Sequence, residues 1–304
     1  MTPPRLVAIV GATATGKTAL AIALARACNG EIINADSRQV FRGMDIGTAK
    51  PTPEEQAAAR HWLIDVAEPT ETFTLAAFLD LATHAIADIR NRGKLPIVAG
   101  GTGQYVWALL EGWSVPRVAP DRELRAELEA LAASKGSDAL FAILRAEDPE
   151  SCARIDARNV RRVIRAIEVT RATGRPFSAW QRKDAPVHDA RIIGLRIDRA
   201  ELYRRIDARV DAMVAAGLVE EVQRLNAAGY GCDVPAMSGI GYRQICEQLR
   251  ASCTLDEAVT RIKTETHRLA RMQATWFRAA DPRIAWLDAR APDLLDRAVA
   301  VARA

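Results

Sequence analysis

The sequence has few cysteines, few aromatic residues and no long apolar run. Its five cysteines are odd in number and scattered, without the CxxC spacing or neighbouring histidines of a zinc site, so we expect buried free thiols. No apolar stretch approaches the roughly 18 residues that span a membrane, and no signal-like segment separates Met1 from the first apolar strand. These absences argue against a membrane protein and lead us to expect a cytoplasmic one. The cysteines are Cys28, Cys152, Cys232, Cys246 and Cys253.

A strong excess of either charge is also lacking. The 304 residues include 42 lysines and arginines against 38 aspartates and glutamates, and the formal net charge of +4 decides nothing alone. Arginines nevertheless cluster at 154–171 and 261–278. Like charges three or four residues apart on a helix repel unless an anion meets them. Such clusters bind polyanions or are only solvated helix faces, so charge leaves a nucleic-acid partner open. The first cluster contains Arg154, Arg158, Arg161, Arg162, Arg165 and Arg171.

A P-loop of the form GxxxxGK[ST] is the strongest motif that is present. It lies between an apolar strand at 5–10 and a helical segment at 18–28, which is the context that a true P-loop requires. Its backbone amides would surround a phosphate at the start of the helix. We expect Lys17 to neutralise the terminal phosphates and the Thr18 hydroxyl to hold Mg²⁺; a Gly-containing turn with a solvent lysine is the alternative. The loop consists of Gly11, Ala12, Thr13, Ala14, Thr15, Gly16, Lys17 and Thr18.

Short apolar strands alternate with helical segments along the first third of the chain. Together with the P-loop, this alternation predicts an α/β fold: a P-loop NTPase-like parallel sheet with helices on both faces. From 120 to about 183 the sequence is helical throughout, which predicts an inserted all-helical domain over 114–190 and a core of 1–113 plus 191–304. Strands are expected at 5–10, 31–35, 61–66, 95–102 and 191–197, a helix at 74–92, and mostly helix after 197.

Two further groups follow strands of this predicted sheet. Asp36 follows the second strand, and ligands bind at the carboxyl edge of such sheets, so Asp36 should face the P-loop ligand as a base, an orienting group or a metal partner. The alternative is an Asp that only caps the next segment. Gly100-Gly101-Thr102-Gly103 follows the fourth strand, in place of the Asp that ends a Walker B strand and holds Mg²⁺. Asp65 is the only other candidate for that Asp. We therefore expect a phosphate pocket that does not transfer a phosphoryl group.

Two segments near the end of the chain suggest a nucleic-acid surface. Ser238 to Gln244 is a Gly-rich stretch that approaches a backbone closely or is merely a loop. Cations and aromatics are mixed further on, as nucleic-acid grooves often mix them, although core packing is equally compatible with the two aromatics. These later residues are Arg268, Arg271, Trp276, Phe277 and Arg278.

Taken together, these motifs resemble the tRNA dimethylallyltransferases, also called tRNA isopentenyltransferases. The string Gly43–Pro51 is highly specific to that family, whereas the P-loop is shared with many folds. Ala12 replaces the usual proline of the loop, and His267 and Met272 stand where the family generally has basic residues. The zinc-finger extension of eukaryotic members is absent, which suggests a bacterial type. The matches run in family order at 11–18, 34–41, 43–51, 61–65, 100–105, 239–244 and 273–278.

The resemblance implies transfer of a dimethylallyl group from its diphosphate to N6 of adenine 37, next to the tRNA anticodon, giving N6-dimethylallyladenosine and diphosphate. A P-loop that holds a leaving diphosphate would explain the missing Walker B strand. Asp36 would bind the adenine amine and act as base, while Thr13 and Arg209 match family positions near the diphosphate and join Lys17 as catalytic residues. The expected cofactor is Mg²⁺, and the expected partners are a tRNA anticodon stem-loop and dimethylallyl diphosphate, with no membrane and the chain a monomer.

Family analogy also assigns tRNA contacts. Two rivals remain: a small-molecule P-loop kinase, which would consume ATP and release a phosphorylated product, and a nucleic-acid-binding ATPase without group transfer. The absent Walker B strand argues against both. The assigned contacts are Asp36, Ser37, Arg38, Gln39, Thr102, Arg125, Arg161, Arg162, Val163, Ile164, Arg165, Ser238, Gly239, Ile240, Gly241, Tyr242, Arg243, Arg271, Met272, Gln273, Ala274, Thr275, Trp276, Phe277 and Arg278.

Overall fold

A computed structural model describes residues 5–180 and 188–304. The chain divides into two compact units: the core unit, Met1–Leu110 with Pro186–Ala304, and the helical unit, Glu111–Ala185. The segment before the first strand and the end of the predicted insertion at 181–187 lie outside the described residues. Within the described ranges, no helix combines the length and the apolar character needed to cross a membrane.

The core unit is built on six parallel strands in the order β3-β2-β4-β1-β5-β6. The predicted parallel sheet is therefore confirmed. Two details of the prediction were wrong. The third strand stops at Trp62 because Leu63 and Asp65 have positive φ angles of 62° and 56°, and a sixth strand near the C-terminus was missed. The strands are β1 Arg5–Gly11, β2 Gly30–Asn34, β3 His61–Trp62, β4 Leu95–Ala99, β5 Asp189–Arg196 and β6 Ile284–Asp288.

Helices of the core unit cover both faces of this sheet. Alternate residues of β1 point to opposite faces, yet Leu6 through Val10 are all fully buried. Leu20 and Leu24 of α1 and Ala298 of α13 pack on one face, while α3 contacts β2 and β4. The helices are α1 Lys17–Ala27, α2 Pro53–Ala58, α3 Leu75–Asn91, α4 Gly103–Leu110, α9 Arg199–Ala215, α10 Leu218–Ala227, α11 Tyr242–Leu249, α12 Leu255–Trp276 and α13 Leu294–Arg303, with a 3₁₀ turn at Pro235–Ser238.

The helical unit contains α5 Arg122–Lys135, α6 Ser137–Glu147, α7 Pro149–Cys152 and α8 Val160–Thr173, followed by a 3₁₀ turn at Phe177–Trp180. Its core forms around Leu140, Leu144 and Ile167. Val163 and Ile164, which the family analogy assigned to tRNA contact, are 0% and 3% exposed and belong to this core. Their side chains do not reach the surface, so neither side chain is exposed for a contact with tRNA.

The predicted arginine face is also corrected. Arg154 and Arg158 lie before α8 and not on it, and most of the other arginines pair within the unit. The fully buried carboxylate of Glu168 accepts hydrogen bonds from Arg125 Nε (2.7 Å) and from the guanidinium of Arg165. Arg158 pairs with Asp156 and Arg171 with Glu147. Among the described residues, only exposed Arg161 and Arg162 of this cluster have no such partner.

Two of the cysteines form a disulfide, contrary to the expectation of five free thiols. Cys232 and Cys246 are joined, with their Cα atoms 5.8 Å apart. They are 14 residues apart in sequence, and the packing of α11 against the preceding turn brings them within disulfide range. Cys28, Cys152 and Cys253 are free but only partly buried.

Candidate active site

The P-loop runs from β1 into α1 with an exposed helix start. Gly16 has φ 91° and ψ 20°, a left-handed conformation that suits glycine, and no side chain caps the helix. Ala14 has φ 63°, an unusual value for a residue with a Cβ. Left-handed residues within a turn aim successive amides into one concavity, and the uncapped first turn of α1 adds more. The loop therefore has the backbone geometry of an anion site.

The P-loop lysine bonds back to its own loop. Lys17 Nζ donates to the carbonyl of Ala12 at 2.7 Å, and Thr15 Oγ1 donates to the same oxygen at 2.8 Å. Burial lowers the pKa of Lys17 to about 8, against an opposing effect of Asp36, and the cation of Arg209 lowers it further. Lys17 is thus a cation at neutral pH that an arriving phosphate can draw from Ala12.

The side chain of Gln273 in α12 links the P-loop to the loop that follows β4. Its Oε1 accepts from the Thr13 amide at 2.7 Å, and its Nε2 donates to the Gly101 carbonyl at 3.1 Å. A Cβ at Gly101 would lie 2.2 Å from that Nε2, so the approach requires glycine. The Thr13 amide is therefore not available to a phosphate, and Gln273, assigned to tRNA by analogy, is a buried link between the two loops.

We expect Gln273→Leu to lower the free energy of unfolding by about 2 kcal/mol, because the partly buried Thr13 amide and the buried Gly101 carbonyl would both lose their partner. Urea unfolding measures this change. Gln273→Glu is the matched control: it keeps the acceptor for Thr13 and should lose less. An unfolding free energy unchanged in Gln273→Leu would show that the link is not formed.

Asp36 is fixed at the end of β2 by its neighbours. Its amide donates to Asn34 Oδ1 at 3.0 Å, and its Oδ1 accepts from the Arg38 amide at 2.9 Å. No described residue hydrogen-bonds Asp36 Oδ2, so that oxygen is open to a ligand. The alternative interpretation, in which Asp36 only caps the next turn, explains the hydrogen bond to Oδ1. It gives no role to Oδ2.

The ends of β2 and β4 are tied together at this edge. Thr102 Oγ1 accepts from the Ser37 amide at 3.0 Å. The guanidinium of Arg38 donates to the Ala236 carbonyl at 3.3 Å and to Ser238 Oγ at 3.4 Å, which attaches the Gly-rich stretch to the same edge. These bonds place three segments that are far apart in sequence around one opening.

A cavity of about 420 Å³ in the core unit brings most of the predicted site together. Asp36 and Thr13 line it, as does Arg209 of α9, whose guanidinium hydrogen-bonds no described residue. The other predicted residues on its wall are Ser37, Arg38, Thr102, Ser238, Gly239, Ile240, Gly241, Tyr242, Met272, Gln273 and Trp276. The cavity thus joins an open carboxylate to an unpaired cation.

One wall of the cavity is apolar, and sequence reasoning missed it. It comes from the inner faces of α9 and α12, where apolar residues recur at helical spacing among the charges. That spacing was the only sequence signal for the apolar wall. The same spacing is found in any helix that faces a protein core, so it does not by itself predict a pocket. The residues are Ile206, Val210, Met213, Ile262 and Leu269.

Several residues assigned to tRNA lie outside the cavity. Arg243, Arg271 and Arg278 are exposed in the core unit, as are Ala274 and Thr275. Gln39 instead donates to the carbonyls of Thr48 and Ala49 at 3.2 and 2.9 Å.

The two aromatic residues at the end of α12 differ in their exposure to solvent. Trp276 is 42% exposed at the cavity, whereas Phe277 is 2% exposed and packs beside Trp107 with ring centroids 6.2 Å apart. The core-packing alternative is therefore the one that the structure supports for Phe277, whose ring is not exposed for a contact with tRNA. Tyr242 is also buried, with only 1% exposed.

The candidate metal residue has the right chemistry for a hard cation. The Thr18 hydroxyl has no hydrogen-bond partner among the described residues, and it follows Lys17 in the first turn of α1. The described ranges contain no group of three or more His, Cys, Asp or Glu side chains that would form an all-protein metal cage. A single hydroxyl fits Mg²⁺, which usually keeps its waters and binds phosphate oxygens.

The fold and the site define a class: an α/β P-loop protein whose anion loop lies beside a cavity with one carboxylate, one unpaired arginine and one apolar wall. The chain belongs to the IPP transferase family, whose model matches residues 39–280.

Relatives agree over nearly the whole chain. A tRNA dimethylallyltransferase of Roseiflexus castenholzii is 54% identical over 298 residues, which are 98% of this chain and 97% of that protein. The crystal structure of the full-length tRNA isopentenylpyrophosphate transferase from Bacillus halodurans matches with TM-score 0.71 and 41% identity, covering 98% of this chain and 94% of that one. A eukaryotic dimethylallyltransferase acting on tRNA matches with TM-score 0.84 and 28% identity, covering 99% and 79%.

Proposed function

We propose that the chain transfers a dimethylallyl group from dimethylallyl diphosphate to N6 of adenine 37 in tRNA and releases diphosphate. The observation that carries the proposal is the meeting of Asp36, Arg209 and an apolar wall in one cavity. The P-loop suits the diphosphate, the apolar wall suits a five-carbon chain, and the carboxylate suits an amine. The names of the relatives support the group transferred and the acceptor.

In the proposed reaction, the N6 lone pair attacks C1 of the dimethylallyl group. The C1–O bond breaks, its electron pair leaves with the diphosphate, and a proton passes from N6 to Asp36 Oδ2. Because an adenine amine is a poor nucleophile, its alignment with C1 contributes much of the rate. Lys17 and Arg209 stabilise the charge that develops on the diphosphate. Thr18 Oγ1 would hold Mg²⁺, which adds to that neutralisation.

The exposed arginines supply the proposed tRNA surface. Arg243, Arg271 and Arg278 in the core unit, and Arg161 and Arg162 in the helical unit, are available for phosphate contacts. The target adenine must leave its stack to reach Asp36, which costs a few kcal/mol. We take the enzyme to act as a monomer in the cytoplasm.

The rival assignment to a kinase has less support. β4 ends at Ala99 and is followed by Gly100 and Gly101, where a Walker B strand has its Asp, and the other candidate, Asp65, is bound to Lys50 Nζ at 2.6 Å. Lys50 is itself buried and also contacts Asp45. The alternative carboxylate therefore serves the loop around Lys50 and is not directed at a nucleotide metal.

A transfer assay tests the proposal. We expect label from dimethylallyl diphosphate to appear in an anticodon stem-loop that carries adenine at position 37. A stem-loop with guanine at that position is the matched control and should stay unlabelled, since the attacking amine is absent. Consumption of ATP without any prenylated adenosine would overturn the assignment and favour the kinase.

A further inference from the structure

The loop Asp45–Ala49 has no part in the chemistry above, although it belongs to the most specific string in the sequence. Gly47, Thr48 and Ala49 line the cavity. Gln39 binds the carbonyls of Thr48 and Ala49 from one side. The Ala49 amide bonds to the carbonyl of Ile46 within the loop, whereas the amides of Asp45, Ile46 and Gly47 are held by a group from another part of the chain.

That group is Glu221 of α10, which is 1% exposed. Its Oε2 accepts from the amides of Asp45 and Ile46 at 3.0 and 2.8 Å, and its Oε1 accepts from the amide of Gly47 at 3.1 Å. No lysine or arginine among the described residues pairs with it. One buried carboxylate therefore fixes three consecutive amides of a cavity wall.

Glu221 also holds a second wall. Tyr242 Oη donates to Glu221 Oε1 at 2.6 Å, and Tyr242 lies with Gly241 on the cavity surface. Burial, together with the Glu221 charge, raises the pKa of Tyr242, so the phenol stays protonated and remains a donor. The loop Asp45–Ala49 and the start of α11 are thus connected through one side chain.

The close contact between these two walls also depends on a glycine. A Cβ at Gly47 would lie 2.6 Å from the Tyr242 ring. The φ angle of Gly47 is not among the positive ones, so this position is set by close approach and not by backbone conformation. The hydrogen bonds of Glu221 hold the loop Asp45–Ala49 close to Tyr242, and the missing side chain of Gly47 leaves room for the tyrosine ring.

The apolar side of the cavity packs against the same tyrosine. Met44, Val210 and Ile262 pack with the Tyr242 ring in a single buried cluster, and Val210 and Ile262 line the cavity as well. A shift of the Tyr242 ring would therefore change the space next to the proposed dimethylallyl chain.

We propose that Glu221 is a positioning residue that sets the width of the dimethylallyl site by holding the loop Asp45–Ala49 against Tyr242. This inference rests on the proposed function. According to this inference, the enzyme selects the five-carbon donor through a buried carboxylate that contacts neither substrate.

The test compares two donors, dimethylallyl diphosphate and the ten-carbon geranyl diphosphate. Glu221→Gln turns one acceptor into a donor that faces backbone amides, so the loop must move. We expect kcat/KM for dimethylallyl diphosphate to fall by roughly 10-fold to 100-fold, as a misplacement near 1 Å can cause. The preference over geranyl diphosphate should fall about tenfold, a 1.4 kcal/mol change in discrimination, while the Kd for tRNA changes less than threefold.

A matched control separates positioning from general stability. Glu31 is another buried carboxylate, at the start of β2, where Arg92 and Lys94 bind it. Glu31→Gln should lower Tm and leave the donor preference unchanged. Tyr242→Phe removes only one bond and should lower kcat/KM roughly threefold.

The outcomes are distinct. Should Glu221→Gln fail to fold, Tyr242→Phe and Gly47→Ala carry the test, since both disturb the contact between the two walls. A donor preference that matches wild type in all folded variants overturns the inference. If the wild-type protein transfers no dimethylallyl group, the proposed function itself is wrong.

Discussion

Asp36→Ala is expected to lower the rate of prenyl transfer by roughly 10²-fold to 10⁴-fold, the range for loss of a general base. Asp36 lines the cavity, and its Oδ2 accepts no hydrogen bond from a described residue, while Oδ1 is occupied by the Arg38 amide. Only the flipped adenine would touch this carboxylate, so most of the tRNA surface is unaffected. Single-turnover rates and the Kd for tRNA, measured on the same preparation, separate the two effects.

Asp36→Asn sharpens the experiment. The asparagine oxygen still accepts from Arg38, so the turn after β2 is kept while the basic oxygen is lost. Asp296→Asn, an exposed substitution on α13, is the control and should behave as wild type. If Asp36→Ala weakens tRNA binding as much as it slows transfer, Asp36 is a binding residue and not a base.

Asp36 was predictable because local sequence was sufficient. A buried strand followed by a polar residue places that residue at the carboxyl edge, and parallel strands share that edge. The same argument placed the glycines after β4, and the P-loop was identified by its own local motif. Neither could find the link between Gln273 and the P-loop, because Thr13 and Gln273 are 260 residues apart. No local pattern reports which face of α12 meets which loop.

The strand errors have a similar origin. The left-handed φ of Leu63 ends β3 after two residues, and an apolar run does not reveal such an angle. β6 was missed because Ile284–Asp288 is a short edge strand after a long helix, and a short apolar run is ambiguous between strand and helix.

Charge was the least predictable feature. The arginines around α8 suggested an unmet positive face. Glu168 lies in the same helix and is fully buried, and its carboxylate meets Arg125 and Arg165. Whether a carboxylate is buried depends on packing between helices. The sequence therefore revealed the number and spacing of the arginines but not which carboxylates pair with them.

Lys17→Met should lower kcat/KM for dimethylallyl diphosphate by roughly 10²-fold to 10³-fold, the cost of losing one donor to a developing anion. Lys17 follows an uncapped helix start and bonds only to the Ala12 carbonyl, so its ammonium can move to a phosphate. Arg209 remains as a second cation on the cavity wall, which is why activity should not vanish. Steady-state kinetics with saturating tRNA give the value, and exposed Lys135→Met serves as the control.

A pH profile distinguishes the charge of Lys17 from its shape. Burial lowers the pKa of Lys17 to about 8, so the ammonium is populated below that pH and lost above it. In the wild type, kcat/KM for the diphosphate should therefore fall as the pH rises through about 8. In Lys17→Arg the guanidinium stays charged over this range, so the profile should lose that step even if the overall rate is reduced. A wild-type profile that is flat from about pH 7 to 9 would show that the charge of Lys17 does not hold the leaving diphosphate.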